Sequence, residues 1–346
     1  MKKAVKIALS NLIYYSGVPA LIRKISSANC QIKILAYHRV SNDDFDPLWM
    51  NNKIDHFEKQ MQYIKKYYTP VSLEEAVELL IRKKKIPQNL IVVTFDDGYK
   101  DNYVNAYPIL FRNKIPATIF LTVNGIEKNE LLWFDVICEA IKLTAETKID
   151  LQKFGFGTYS LDTLYDRVKV ANIITTLAKK LKKEEIEAFV NYILERLSVK
   201  SEVMNISNTM LNWEEINKMS KGGISYGSHG MTHSILSNLT AAELEYEIIQ
   251  SKRIIELKTG LKIKLFAYPN GKNNNFNTHI EERLKICGYA GACTLENGYN
   301  DKLSNLFALK RINICGKSLT NFYGSFSKVL FASRIDRSTN NYFKIF

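Results

Sequence analysis

Two carboxylates stand side by side where an apolar run stops: residues 90–103 read LIVVTFDDGYKDNY, with Asp96 and Asp97 followed at once by Gly98. Neighbouring anions repel and Asp is a poor strand residue, so the pair needs a reason. A polar turn closing a buried strand would suffice if nothing else accompanied it. Two other segments do. GSHGMTH delivers His229 and His233 after the apolar stretch 224–226, and KILAYHRV delivers His38 after another. One carboxylate and two imidazoles supply three ligands for a divalent ion and leave a position open for water, as catalytic zinc sites do. The four-residue step from His229 to His233 suits one ion on a helix or in a tight loop. Thr240, with Glu243 three residues on, caps the next helix and so puts His233 in the loop before it.

Those residues need elements to hold them. Seven short apolar or β-branched runs read as strands, at 32–37, 90–95, 117–123, 224–226, 263–268, 289–294 and 309–314. Most are apolar almost throughout, the pattern of strands buried on both faces. Helix starts alternate with them: Ser72 with Glu75 and Asn212 with Glu215 repeat the Thr240–Glu243 pattern. Strand and helix in alternation predict a parallel α/β fold, a distorted (β/α) barrel of about seven strands. In such a barrel the strand ends share one face, so His38, Asp96, Asp97, His229 and His233 converge. His56 and His279 fall on helices and are expected to be exposed.

One stretch breaks the rhythm. From about 136 to 210 the chain turns helical and Lys/Glu-rich, and Ile186, Phe189, Val190, Ile193, Leu194 and Leu197 make one apolar helical face. KFGFGTYSL just before it reads as a short hairpin or loop. This region is expected to be an inserted helical subdomain within a catalytic domain spanning 31–346, either a lid or a solvated surface elaboration.

With 346 residues, 46% of them hydrophobic, the chain has ample material for a large core. A formal net charge of +13 favours anionic partners without choosing among them. Nucleic acid is disfavoured, because no recognisable binding module accompanies the charge and the lysines are spread along the chain. The five cysteines, with no C-x-x-C pair, indicate neither a disulfide framework nor a thiolate zinc site. Residues 1–30 form an amphipathic segment: Val5, Ala8, Leu9, Leu12 and Ile13 share a helical face beside Lys2, Lys3 and Lys6. That segment suits packing on the domain or contact with an anionic membrane surface, with a signal peptide or anchor as the alternative, and favours a cytoplasmic or membrane-peripheral location over secretion.

The chain resembles the polysaccharide deacetylases, or NodB-homology domains. Their T-F-D-D-G motif is matched by Thr94–Gly98, and their paired-histidine motif by HGMTH, with Gly230 in its small-residue position. Their R-x-P-x-G reads AYPNG here, with Ala267 in place of the arginine. The resemblance implies that Asp97, His229 and His233 bind a divalent metal, zinc as first choice with cobalt, nickel or iron able to substitute. It implies Asp96 as general base, and the metal with a backbone N–H near Gly98, such as that of Tyr99, as the oxyanion stabiliser. The final strand, ALKRINICG, lacks the family's usual acid histidine. This departure resembles the circularly permuted branch, similar to poly-N-acetylglucosamine deacetylases, where an early Tyr-His supplies the acid; here that is His38. Arg311 is the expected stand-in for the lost arginine. The expected reaction is metal-dependent de-N-acetylation of a sugar in a bacterial surface polysaccharide or its lipid-linked precursor. O-deacetylation, hydrolysis of another amide and non-catalytic glycan binding are the alternatives.

Overall fold

The structure, a computed structural model, describes residues 31–83, 86–200, 204 and 209–336. Its centre is one parallel sheet built from β1 (Lys33–Tyr37), β2 (Leu90–Phe95), β3 (Ala117–Leu121), β4 (Ile224–Ser228), β5 (Leu265–Ala267), β6 (Gly291–Cys293) and β7 (Ile312–Asn313). The strands lie in the order β6-β5-β4-β3-β2-β1-β7, and the short strand Thr69–Pro70 pairs with the start of β2. A parallel bridge between Cys293 and Leu309 draws the β6 edge toward the chain entering β7. The sheet therefore curls into a distorted (β/α) barrel. All seven expected strands are present, most of them shorter than their apolar runs.

Every residue of β1, β2 and β3 is buried. The two faces go to different cores, because successive side chains in a strand point opposite ways. Ile34, Val92 and Phe120 share one cluster, and Leu35, Val93 and Ile119 share the other. The same alternation carries Val92, Thr94 and Asp96 along one face, and Ile34, Ala36 and His38 along its neighbour. Strand periodicity thus aims the chemistry at the C-terminal ends.

The helix starts form as their sequences predict. Ser72 accepts from the Glu75 amide, and Asn212–Glu215 and Thr240–Glu243 are reciprocal capping boxes. His279 is exposed on the helix Thr278–Ile286. His56 is a correction: it lies on the helix Ile54–Tyr67 but is buried, its ring 6.0 Å from that of Phe326. That helix turns Phe57, Met61 and Ile64 inward, and the C-terminal segment covers the flank where His56 sits.

Beyond β3 and the short helix Val123–Lys128, the inserted stretch carries the helices α1 (Trp133–Leu143), α2 (Leu164–Ala178) and α3 (Lys183–Arg196). An antiparallel hairpin, Lys148–Asp150 with Thr158–Ser160, joins the first two. Ile137, Ile141, Ile174, Phe189, Ile193 and Leu197 belong to a core of their own, separate from the barrel's. The amphipathic segment read from residues 1–30 lies outside the described residues. Among the described residues, no helix is long and apolar enough to cross a membrane.

Candidate active site

Register brings the chemistry together. Tyr37 pairs with Phe95, so His38 and Asp96 leave adjacent strands side by side. Asp96 then donates its amide to the Tyr37 carbonyl at 3.0 Å. On the other flank the His229 amide donates to Leu121 at 2.9 Å, which holds the end of β4 against β3. His38, Asp96, Asp97, His229 and His233 all line one cavity of about 160 Å³.

Asp96 and Asp97, adjacent in sequence, have opposite surroundings. Both Asp96 oxygens are taken by Arg311, with Nη1 to Oδ1 and Nη2 to Oδ2 at 2.7 Å each. Arg311 is fully buried and its Nε donates to the Thr294 carbonyl, while Nη1 also reaches Thr94 Oγ1. Burial, the largest single influence, would raise the Asp96 carboxyl, but the Arg311 charge and hydrogen bonds together with the nearby His229 and His38 outweigh it and hold the group well below the usual carboxylate range. His38 Nε2 lies 3.8 Å from Asp96 Oδ2. Arg311 thus points at Asp96 and away from substrate space.

Asp97 is equally buried, yet neither of its oxygens has a hydrogen-bond partner among the described residues. Its Oδ1 instead faces His229 Nε2 at 3.5 Å and His233 Nε2 at 3.3 Å. Leaving a buried carboxylate unpartnered costs several kcal/mol, on the order of a lost charged hydrogen bond or more. One oxygen and two nitrogens within 4.8 Å of one another fit a divalent ion. The His229 ring supports that fit, because its Nδ1 is 2.8 Å from the Ala267 carbonyl. A carbonyl can only accept, so Nδ1 carries the proton and Nε2 turns a lone pair toward Asp97. Burial also pushes the His229 imidazole down to about 4, which keeps it neutral and able to ligate. Ala267, which stands at the arginine position of the R-x-P-x-G pattern, still serves through its main chain.

The loops that aim these side chains are bent into left-handed backbone. Asp97 has φ of +74° and His233 of +59°, and Gly98 and Gly230 at +86° and +82° relieve the same turns. Glu247 accepts from the amides of Met231 and Thr232 and fastens the HGMTH loop from behind. A Cβ on Gly230 would come within 2.7 Å of Glu247 Oε2, so glycine is what lets that carboxylate approach.

Tyr99 does not offer its side chain to the cavity. Its hydroxyl donates to Asp135 Oδ2 at 2.8 Å, and the Arg39 guanidinium lies 4.6 Å above its ring. Its amide is a separate matter. The antiparallel bridge between Tyr99 and Met210 is closed by the amides of Lys100 and Leu211, which leaves the Tyr99 N–H out of that pairing.

Several site residues were not visible as such in the sequence. Asp101 and Asn102, in the same DNY as the opening motif, hold the His38 segment: Asp101 accepts from Arg39 Nε and the Val40 amide, and Asn102 donates to the His38 carbonyl. Phe134 of α1 packs edge-on against the His233 ring at 5.0 Å. Asn172, Thr176 and Lys179 bring α2 and its end to the cavity wall. Asn270, Asn313 and Trp49 also line it. Only Asn270, inside AYPNG, carried any motif signal.

Comparison with known proteins gives one family. The polysaccharide deacetylase family model matches residues 83–292. The YxkH protein of Bacillus subtilis is 23% identical over 288 residues, covering 82% of this chain and 71% of its own. A poly-β-1,6-N-acetyl-D-glucosamine N-deacetylase of Staphylococcus aureus is 25% identical over 212 residues, 56% of this chain and 70% of its own. Among solved structures, the Streptococcus pyogenes deacetylase PplD in complex with acetate aligns with a TM-score of 0.56 at 18% identity, over 83% of this chain and 94% of that one. At that identity the likeness speaks for the fold.

Proposed function

The chain belongs to the polysaccharide deacetylase family, and we propose that it hydrolyses the N-acetyl group of a sugar in a bacterial surface polysaccharide or its lipid-linked precursor, releasing acetate. We assign Asp97, His229 and His233 as ligands of one divalent ion, zinc as first choice because two imidazoles and a carboxylate suit it, with cobalt, nickel or iron able to replace it. The observation that carries this reading is the buried Asp97 carboxylate, both oxygens unpartnered, facing two imidazole Nε2 atoms.

When bound, such an ion acidifies water and polarises an amide carbonyl, so that even a weakly basic carboxylate suffices to take the proton. The protein's own residues divide the remaining work. Asp96 stays ionised through Arg311 and, with a lone pair left on each oxygen, accepts the proton of the attacking water. His38, at the cavity wall beside Asp96, donates a proton to the departing amine. The Tyr99 amide, outside the bridge to Met210, is the backbone donor for the carbonyl oxygen as it gains charge. Arg311 acts on substrate only through Asp96.

Acetate release tests the reading. A panel of N-acetylated monosaccharides, oligomers and polyprenyl-linked glycans is incubated with the protein, with and without chelator. Release that stops on chelation and returns with added metal is the expected result. Release indifferent to chelation from a metal-free protein would overturn it.

A further inference from the structure

Trp49 stands at the mouth of the catalytic cavity with 51% of its surface exposed. Its φ is +59°, a region that bulky L-residues avoid because Cβ crowds the following carbonyl. Nine non-glycine residues among those described have positive φ. Lys83, Lys114, Asn129 and Ser198 follow helix ends, and Asn89 turns into β2, so chain geometry accounts for them. The other four, Trp49, Asp97, His233 and Asn270, all line this one cavity.

The bend at Trp49 is held from both sides. Asp46 Oδ1 accepts from the Met50 amide at 2.8 Å, and the Met50 carbonyl accepts from the Arg39 amide. Before it, Asn172 of α2 donates to the Pro47 carbonyl at 3.2 Å. Barrel and insertion together fix a loop whose outcome is an indole turned to water, which adds nothing to the core. Leu48 and Met50, on either side of Trp49, line both the catalytic cavity and a second one of about 230 Å³. Arg39, Asp135, Glu139 and Lys142 give that second cavity a wall rich in hydrogen-bonding groups. Trp49 itself lines the catalytic cavity, and its two chain neighbours form the wall that the cavities share.

We propose that Trp49 is a stacking platform for a pyranose ring of the substrate, seating the sugar unit next to the one that reacts, with the second cavity taking that neighbour's hydroxyls. A pyranose presents a face of C–H groups, apolar and slightly positive, which suits the negative face of an indole. Its hydroxyls both donate and accept, which suits mixed carboxylate and guanidinium walls. The inference rests on the sugar deacetylase reading above and adds a specificity residue to it.

The test compares the full chain with Trp49→Asn, which removes the ring but tolerates left-handed backbone, and Trp49→Tyr, which keeps an aromatic face. Acetate release is measured on N-acetylhexosamine oligomers of one to five units, and hydrolysis on an activated aryl acetate. Trp49→Asn should lose about tenfold more in kcat/KM on the longer oligomers than on the aryl ester, mostly through KM, and Trp49→Tyr should recover most of that loss. Oligomers should also shift the indole fluorescence of the parent chain, and that shift should be missing in Trp49→Asn. Equal losses on every substrate, or no loss at all, would overturn the platform. If the parent releases acetate from no oligomer, the sugar deacetylase reading fails, and the fluorescence titration still decides whether Trp49 binds sugar.

Discussion

Arg311 and Asp96 meet through two parallel hydrogen bonds of 2.7 Å although 215 residues of chain separate them, and both are buried. The pair reaches from the start of β7 across β1 to the end of β2, so β7 must dock beside β1 before it can form. Removing one partner leaves the other charge buried and uncompensated. Arg311→Met should therefore cost about 3–5 kcal/mol of stability in urea unfolding. Adding Asp96→Asn removes the stranded charge, so the double variant should be more stable than the sum of the single losses. Additive losses would show that the two residues do not interact as drawn. Arg311→Lys keeps the charge without the fork and should fall between the parent and Arg311→Met.

The two neighbouring aspartates should separate in a metal assay. Asp97→Asn and His229→Ala remove atoms from the ligand set and should lose bound metal and turnover together. Asp96→Asn leaves the three ligands intact, so its metal content should match the parent's while turnover falls by roughly 10²–10⁴, the usual worth of a general base. Elemental analysis beside acetate release reads both. Metal loss in Asp96→Asn but not in Asp97→Asn would exchange the two roles.

What was legible in the sequence was local. An apolar run ending in Asp96-Asp97-Gly98 marks a strand end, and HGMTH marks another, because strand burial and turn chemistry are written in consecutive residues. The seven strands and the barrel followed from the same signal. Arg311 was approachable only through strand order, since its partner lies on a distant strand. Trp49, Asn313 and Phe134 carried no signal, because they reach the cavity through a pinned loop, a two-residue strand and an inserted helix. His56 misled for a related reason: a mixed helix does not say which flank a later segment will cover, and here Phe326 covers it.

Gly230 should resist enlargement. Its φ of +82° disfavours any side chain, and a Cβ there would meet Glu247 Oε2 at 2.7 Å. Gly230→Ala should cost about 1–2 kcal/mol for the left-handed backbone alone. It should also loosen the loop that carries His233, so metal should be released at lower chelator concentrations than from the parent. A variant with unchanged stability and metal retention would show that Glu247 yields freely.

Asp135 gives the chain a pH dependence of defined sign. Burial is the main cause that pushes its carboxyl up to about 7, against the opposing Arg39 charge and the Tyr99 hydrogen bond. An unfolded Asp releases its proton near pH 4. Between those values the folded chain holds a proton that the unfolded chain has lost, so this group's contribution falls as pH rises from about 4 to about 7. The slope is at most about 1.4 kcal/mol per pH unit, and less here because the side chain is only half-buried. Asp135→Asn should flatten that decline relative to the parent in urea unfolding at several pH values. Parallel curves for the two proteins would mean that Asp135 ionises normally.

His38 is tested by the leaving group. Breaking an amide requires a proton on the departing nitrogen, and Asp96, ionised by Arg311 at the start of the reaction, is engaged with the proton of the attacking water, so a second group must serve as the acid. His229 and His233 face Asp97, His56 is buried away beside Phe326, and His279 is exposed on its own helix. His38 lines the cavity, with its main chain fixed by Asn102 and its Nε2 near Asp96. His38→Ala should keep its fold and its metal but lose roughly 10²–10⁴ in turnover on N-acetyl sugars. An activated aryl acetate leaves without help and should be spared most of that loss. Damage of the same size on both substrates would make His38 a structural residue and send the search for the acid elsewhere along the cavity wall.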